Sequence, residues 1–497
     1  MLPSVVCLCL LPLLGSADPE GVAFTYTHAV SSSHLAVVFN VASKLRDFDV
    51  YDVRWPIMEA VANFKSPSGF RSIVSERAMK HSSKMKEMVD GTGWESSGGE
   101  MLSIFRVLSS AISLIFMPCD FEDSIEVEQP RPLNLSLIDP FTSLCAVARA
   151  RQLHSRFFFV SPLVEPMSIA MLSGGELPIA ATASVLVAKA PSKMTLLDRA
   201  ANVFAHAFFE LLVGHQLSVA RLLFGPNPFF APVEPSFVFI NTHRILDFPV
   251  PRTFARVDFA SRRNVLGDTP PTPLDDDLLQ FIEDPTWRRV SVFSMSTYTN
   301  DAEMPAHLIE VFSEAFSHFP NIGFVWRIKE LDAKHRRKNV KVVQWIPQRT
   351  LFEHPKTGAV ISHCGQNSFL EAVQAGVPIF CIPMMGDQHL QSAILLEHGI
   401  GVVSTKAALD VETVVKSLHE VLNNEGIHRR SNHLKEMLKM EEEHLHGGDV
   451  LWWLRYYLRH TEQQFQSYVF PNRPESQFME NLFAITILGA VFIVLII

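Results

Sequence analysis

The second half of the chain alternates short apolar runs with stretches of helical spacing. The runs cover residues 290–295, 322–328, 340–345, 359–362, 379–382 and 401–403, and helical stretches begin at Pro305, Asn367, Gln388 and Val411. Strands that alternate with helices in this way form βαβ units, so the pattern predicts a parallel sheet. Ligands bind such sheets at the carboxyl ends of the strands, and we expect a site there.

The first half repeats the same rhythm less clearly. Its predicted strands cover residues 22–26, 135–138 and 156–161, with helices that begin at Ser33 and Thr142. The stretch GDTPPTPLDDD, residues 267–277, is rich in Pro and Asp and predicts a linker. The sequence therefore predicts an α/β chain with two domains that face each other across a cleft. The predicted units are residues 18–266, a linker at 267–283, a second domain at 284–448, and a helix at 449–470 that packs across both domains.

The apolar residues gather at the two ends of the chain. Over 497 residues the net charge is −9, which argues against a general nucleic-acid binder, and the mean hydropathy is +0.15. Residues 1–17, MLPSVVCLCLLPLLGSA, resemble a secretory signal peptide, the alternative being a buried strand or helix. Residues 482–497 carry no charge and predict a membrane anchor, the alternative being a buried terminal helix. At about 24 Å this anchor is short, which indicates a shallow or truncated span. A signal and an anchor together predict a lumenal body.

Four cysteines lie beyond the predicted signal peptide: Cys119, Cys145, Cys364 and Cys381. They are scattered along the chain and none forms a C-x-x-C pair. We therefore expect neither a disulfide framework nor a zinc site.

The segment from Trp345 to Gln388 carries the clearest chemistry. It reads WIPQRTLFEHPKTGAVISHCGQNSFLEAVQAGVPIFCIPMMGDQ, and its polar residues fall at strand ends and helix starts. A helix N-terminus that follows a glycine binds anions, and His363, Asn367 and Ser368 add donors for a diphosphate. The alternative is an ordinary capped helix, with Asn367 and Ser368 as caps and Trp345 in the core.

The other polar residues of this segment suit the rest of a nucleotide sugar. An indole such as Trp345 can lie against a base, and Gln348 and Glu371 can bond to ribose hydroxyls. Asp387 and Gln388 can bond to the hydroxyls of a hexose.

The complete string W-x-P-Q, H-P, S-H-C-G-x-N-S-x-x-E, G-V-P and D-Q resembles the donor-binding motif of the UDP-glycosyltransferases, of the UDP-glucuronosyltransferase type. The resemblance continues more weakly in residues 192–204, 237–251 and 449–460. It implies a GT-B fold, in which two Rossmann-like domains with parallel sheets face each other. The acceptor would lie on the amino-terminal domain and the UDP-sugar on the other. It also implies a type I anchor in the endoplasmic reticulum membrane.

The same resemblance implies roles for individual residues. Trp345 would stack on uracil, Gln348 would contact the uridine, and Glu371 would bind the ribose. Asp387 and Gln388 would hold the sugar. The residues implied around the diphosphate are Ser362, His363, Gly365, Asn367 and Ser368, together with Ser294 and Thr297 from the strand FSMST. In that strand Ser296 replaces the usual glycine.

An inverting transfer needs a base that takes the proton of the acceptor hydroxyl. Histidine suits this role near neutral pH, and a carboxylate partner fixes its tautomer. His34 and His28 both follow the first strand, and His34 matches the histidine of the family. Asp139 follows the strand at 135–138 and matches the catalytic aspartate of the family. We therefore predict the pair His34 and Asp139, with His28 as the alternative base.

These residues predict a metal-independent glycosyltransferase that uses no cofactor. Its donor would be UDP-glucuronate or UDP-glucose, and its acceptor a small lipophilic molecule. Asp47-Phe48-Asp49 is a D-x-D sequence, but it is better explained as a helix end and a strand start. A non-catalytic UDP-sugar-binding subunit is the competing hypothesis, because Ser296 and residues 60–128 depart from the family pattern. A homo- or hetero-oligomeric state is left open.

Overall fold

The chain is described here from a computed structural model. It describes residues 21–27, 32–45, 48–54, 65–74, 134–140, 144–173, 175, 177, 182–184, 187–209, 236–259, 272–295, 304–384, 386–444 and 450–459. The predicted signal peptide, the predicted anchor, His28 and Thr297 lie outside these residues. Within them, no helix has both the length and the apolar character that crossing a bilayer requires.

The first half of the described chain forms a parallel sheet with the strand order β3-β2-β1-β4-β5-β6-β7. Its strands are β1 (Gly21–Thr27), β2 (Phe48–Arg54), β3 (Arg71–Val74), β4 (Asn134–Ile138), β5 (Arg156–Ser161), β6 (Val238–Ile240) and β7 (Arg256–Asp258). The helices described with it are α1 (Ser32–Ala42), α2 (Leu144–Gln152), α3 (Pro166–Leu172) and α4 (Leu196–Phe209).

The second half forms another parallel sheet, with the order β10-β9-β8-β11-β12-β13. Its strands are β8 (Arg289–Ser294), β9 (Ile322–Arg327), β10 (Val340–Val343), β11 (Thr357–Ser362), β12 (Ile379–Cys381) and β13 (Gly401–Val403). Its helices are α5 (Asp276–Glu283), α6 (Ala306–Ser317), α7 (Gln348–Glu353), α8 (Gln366–Ala375), α9 (Asp387–His398), α10 (Val411–Asn423) and α11 (Glu425–His444), and α12 (Val450–Arg459) follows them.

The central strands of both sheets are largely buried, and helices such as α1 and α10 pack against them. Strands buried on two sides need continuous apolar sequence rather than alternation, which explains runs such as RFFFVS in β5 and IGFVWR in β9. The predicted pair of parallel α/β sheets is confirmed. The end of one strand differs from the prediction. Strand β10 ends at Val343, so Trp345 lies beyond it.

The predicted linker contains a helix that sequence reasoning missed. Asp275 caps α5, since its side chain accepts a hydrogen bond of 2.7 Å from the backbone N–H of Leu278. Leu278 and Ile282, one helical turn apart, are buried. The acidic run is therefore the start of a helix, where negative charge is favourable.

In each sheet, successive strands are added first on one side of a starting strand and then on its other side. β1 lies between β2 and β4, and β8 lies between β9 and β11. A crevice opens at the carboxyl ends of strands at such a switch point.

Several contacts join the two halves of the chain. Lys193 bonds to Glu397 at 2.7 Å, and the Arg244 guanidinium lies 3.2 Å from the Glu441 carboxylate. The last described helix, α12, returns to the first sheet. There the Arg156 side chain donates to the carbonyl of Tyr457 at 2.6 Å.

Candidate active site

The first part of the site is a histidine–carboxylate pair at the switch point of the first sheet. His34 lies in the first turn of α1, directly after β1, and Asp139 follows β4, the neighbour of β1. The backbone N–H of Asp139 donates to the carbonyl of Tyr26 at 3.2 Å, which continues the ladder and fixes the aspartate. His34 Nδ1 donates to Asp139 Oδ2 at 2.8 Å. The acceptor nitrogen of the neutral ring is therefore Nε2.

The surroundings of this pair favour a protonated imidazole. The Asp139 side chain is 1% exposed and that of His34 is 18% exposed. Burial lowers the pKa of His34, but the charge and hydrogen bond of Asp139, together with the charge of Asp387, raise it above its ordinary value. Asp387 belongs to the second half of the chain, so charged residues of both halves act on His34.

The second part of the site is the turn between β11 and α8. Gly365 precedes the helix, and a Cβ atom at this position would overlap the imidazole of His363. Cys364 has φ of 61°, a conformation that lets the chain turn sharply into the helix. No side chain caps the helix at Gly365, and Asn367 and Ser368 lie within its first turn. The alternative in which these residues are caps is therefore wrong.

His363 is held neutral in this turn. Burial and the nearby charge of Arg327 lower the pKa of His363 to about 4. A neutral imidazole can still donate one N–H to an anion. Arg327 ends β9, and its guanidinium carbon lies 5.3 Å from the centroid of the Trp345 ring. Trp345 itself is 71% exposed, so it does not belong to the core.

The predicted ribose residues form one hydrogen-bonded group. Gln348 Nε2 donates to Glu371 Oε2 at 2.6 Å and to Ser368 Oγ at 3.1 Å. Burial raises the pKa of Glu371 to about 7, against the lowering effect of the Gln348 hydrogen bond and of Arg349. This carboxyl group therefore titrates near neutral pH.

The predicted sugar residues begin α9, after β12. Gln388 Oε1 accepts a hydrogen bond of 2.8 Å from the backbone N–H of Met384, which orients its amide. Burial raises the pKa of Asp387 to about 6, although His34 and the backbone N–H of Gln366 oppose the shift. Asp387 therefore lies between the start of α8 and the histidine of the first domain.

Comparison with known proteins agrees with this geometry. A family model described as "UDP-glucoronosyl and UDP-glucosyl transferase" matches residues 75–464. The chain belongs to this family.

Two curated relatives show modest similarity to this chain. UDP-glucosyltransferase 2 of Dactylopius coccus is 26% identical over 56% of this chain and 54% of its own length. UDP-glucuronosyltransferase 2B17 of Rattus norvegicus is 25% identical over 60% of this chain and 56% of its own. The matched part thus spans about half the length of these relatives.

Solved structures show the same fold. A UDP-glucose: anthocyanidin 3-O-glucosyltransferase in complex with UDP superposes with a TM-score of 0.56 at 16% identity. The match covers 88% of this chain and 98% of that one. The GT-B architecture of two facing Rossmann-like domains follows from this likeness.

The second sheet brings the predicted donor-binding residues that the structure describes to the carboxyl ends of its strands. They follow four of its strands: Ser294 ends β8, Trp345 and Gln348 follow β10, Ser362 to Glu371 span the end of β11 and α8, and Asp387 and Gln388 follow β12. Ser294 is buried and pairs in register with Ser362.

The structure also shows three features that sequence reasoning missed. A disulfide joins Cys364 to Cys381, because β12 lies beside β11 and brings the two cysteines together. The second is Arg327, which could have been found because it lies at the carboxyl end of a predicted strand. Asn241 lies in the family-like segment 237–251, but no role was assigned to it. Among the described residues, no group of three or more His, Cys, Asp or Glu side chains could hold a metal ion.

Proposed function

We propose that this chain transfers a glycosyl group from a UDP-sugar to a hydroxyl group of a small lipophilic acceptor, with inversion at the anomeric carbon. UDP-glucuronate is the proposed donor and UDP-glucose the alternative. One observation supports this most strongly. The His34–Asp139 pair of the first domain lies within electrostatic reach of Asp387, which begins a helix at the donor edge of the second domain.

The reaction needs one proton transfer and one displacement. Nε2 of neutral His34 takes the proton of the acceptor hydroxyl while its oxygen attacks the anomeric carbon from the side opposite UDP. The new C–O bond forms as the bond from the anomeric carbon to the β-phosphate oxygen breaks, and UDP leaves with the electron pair. Asp139 stabilises the imidazolium that results, because its buried carboxylate bonds to Nδ1.

The second domain stabilises the departing UDP. The first turn of α8 presents backbone N–H groups and a positive dipole end to the diphosphate. Neutral His363, together with Asn367 and Ser368, adds donors without bringing a full charge. Such preorganised donors lower the barrier most where negative charge develops, which here is the leaving diphosphate. The scheme requires no metal ion.

The test is transfer by the purified full chain with labelled UDP-glucuronate and labelled UDP-glucose, against a panel of lipophilic phenols and alcohols. Transfer from either donor supports a glycosyltransferase, and the preferred donor decides the sugar. The H34A variant should bind UDP and lose about a thousandfold in kcat, whereas H318A, at an exposed histidine after α6, should behave as wild type. UDP binding without transfer by wild type on any acceptor would instead support the non-catalytic subunit.

A further inference from the structure

A chain of buried amide groups links the first domain to the start of α8. Asn241 follows β6 and is fully buried. Its Nδ2 donates to Asn367 Oδ1 at 2.6 Å and to the carbonyl of Pro162 at 3.3 Å. Its own backbone carbonyl accepts from Gln366 Nε2 at 2.6 Å. Asn241 therefore contacts both of the first two residues of the helix that forms the donor turn.

These contacts determine which way the Asn367 amide faces. The Pro162 carbonyl can only accept, so the amino group of Asn241 must lie on that side. The same amino group faces Asn367, which must therefore present its oxygen to Asn241. Consequently the Nδ2 of Asn367 is directed away from Asn241. Asn367 is partly exposed, and a diphosphate, which has only acceptor oxygens, needs this donor to face it.

The orientation of the Gln366 amide is fixed in the same way, by its hydrogen-bond partners. Gln391 Nε2 donates to Gln366 Oε1, so Gln366 presents its amino group to the carbonyl of Asn241. All three residues are buried. In such surroundings a mismatched amide is costly, because an unsatisfied polar group loses its water without gaining a partner. Asn241 Oδ1 and Gln391 Oε1 have no hydrogen-bond partner among the described residues. Turning either amide over would set two carbonyl oxygens against each other, so the network still holds one arrangement.

We propose that Asn241 is a positioning residue of the donor site, supplied by the opposite domain. It orients the Asn367 amide so that Nδ2 donates to the diphosphate of the UDP-sugar. This inference rests on the proposed function. It also means that the donor site is complete only when the two domains are closed on each other. Diphosphate binding and domain closure are then thermodynamically linked.

The test measures the affinity of the full chain for UDP by calorimetry. N241A should weaken UDP binding about five- to tenfold, the usual effect of losing one buried hydrogen bond. N241D should weaken it by about another tenfold, because an isosteric carboxylate only accepts and would draw the Asn367 amino group towards itself. N241A should raise KM for the UDP-sugar, while the pH profile of kcat, which His34 sets, stays unchanged.

A double-mutant cycle separates positioning from a merely structural role. In the N367A background, the N241A substitution should change UDP affinity by less than about twofold, because the residue it acts through is gone. The matched control is N202A, at another fully buried asparagine of the first domain, whose Nδ2 donates to Thr182. It should lower the melting temperature but leave UDP affinity unchanged. If N241A and N367A contribute independently to UDP affinity, the proposal is overturned.

The outcomes also separate this proposal from the proposed function. Wild type that binds no UDP would contradict both. Wild type that binds UDP, with N241A and N241D binding equally well, would contradict only the role of Asn241. If N241A or N241D fails to fold, N241S replaces it, since a serine hydroxyl is too short to reach Asn367. N241S should then weaken UDP binding about as much as expected for N241A, and unchanged binding would overturn the proposal.

Discussion

The two domains differ in the charge state that they favour for the histidine at the end of a central strand. The first domain buries an ion pair, in which Asp139 raises the pKa of His34 and favours a charged ring. The second domain keeps its donor turn uncharged, since burial and Arg327 lower the pKa of His363 to about 4. Both rest on the same topology, a helix that begins after a central parallel strand.

The difference follows from what each side must do. A base must stabilise a proton once it has taken one, so it needs a buried counter-charge beside it. A diphosphate site must accept an anion, so dipoles and neutral donors suffice and a resident carboxylate would repel it. The same strand–turn–helix arrangement thus suits a base in one domain and an anion site in the other. The difference comes from the charged neighbour of each histidine, Asp139 for His34 and Arg327 for His363.

The largest effect should come from removing the base. H34A should lower kcat about a thousandfold, because no other group then takes the acceptor proton. UDP affinity should stay within about twofold of wild type, since the donor turn is untouched. Single-turnover kinetics and UDP calorimetry measure the two quantities. Full activity in H34A would show that His34 is not the base.

Removing the counter-charge should shift the pH dependence. Activity requires neutral His34, so it rises with pH through the pKa of this residue, which lies above the ordinary value of 6.5. D139N removes two causes that raise this pKa, so the acidic limb of kcat/KM should move to lower pH. The plateau should fall about hundredfold, because the imidazolium loses its partner. An unshifted limb in a pH–rate profile would show that Asp139 does not govern His34.

A methyl group at Gly365 should damage only the donor side. Its Cβ would overlap the His363 ring and displace it. G365A should therefore weaken UDP binding about ten- to hundredfold, as expected for a lost hydrogen bond to a charged group. The pH limb set by His34 should not move. If UDP calorimetry showed wild-type affinity in G365A, the turn would not be the diphosphate site.

The smallest effect concerns Glu371 and protein stability. Its pKa is raised in the folded protein from 4.5 to about 7. Its contribution to stability is therefore fully present below about pH 4.5 and is lost as the pH rises through 7. Unfolding by urea between pH 5 and 8 should show wild type losing stability relative to E371Q over this range. A constant difference between the two proteins would mean that burial does not perturb this carboxyl group.

The local fold of the predicted donor half could be predicted because its signals are local. The strand, turn and helix from Thr357 to Ala375 lie within one short segment, and a glycine before a helix predicts an anion site without distant contacts. The pair His34 and Asp139 was harder to predict, since 105 residues separate its members. Only the adjacency of β1 and β4 brings them together, and the resemblance to a family supplied that adjacency in advance.

Other features could not be predicted from local sequence. The helix α5 lay hidden in a stretch rich in Pro and Asp, because its start consists of acidic residues that also favour loops. The disulfide between Cys364 and Cys381 depends on the pairing of β11 with β12. No role was assigned to Asn241 from the sequence, since two of its partners, Gln366 and Asn367, lie in the other domain.

The sequence by itself determined the two parallel sheets and the turn from β11 into α8, and it predicted the donor site and the choice of His34 over His28, because period, turn chemistry and motif spacing are properties of neighbouring residues. Only the tertiary structure decided the charge state of the site and the contact of Asn241 with Asn367. The charge state depends on burial and on neighbours far apart in the chain, Asp139 for His34 and Arg327 for His363. The contact of Asn241 with Asn367 exists only where the two domains meet.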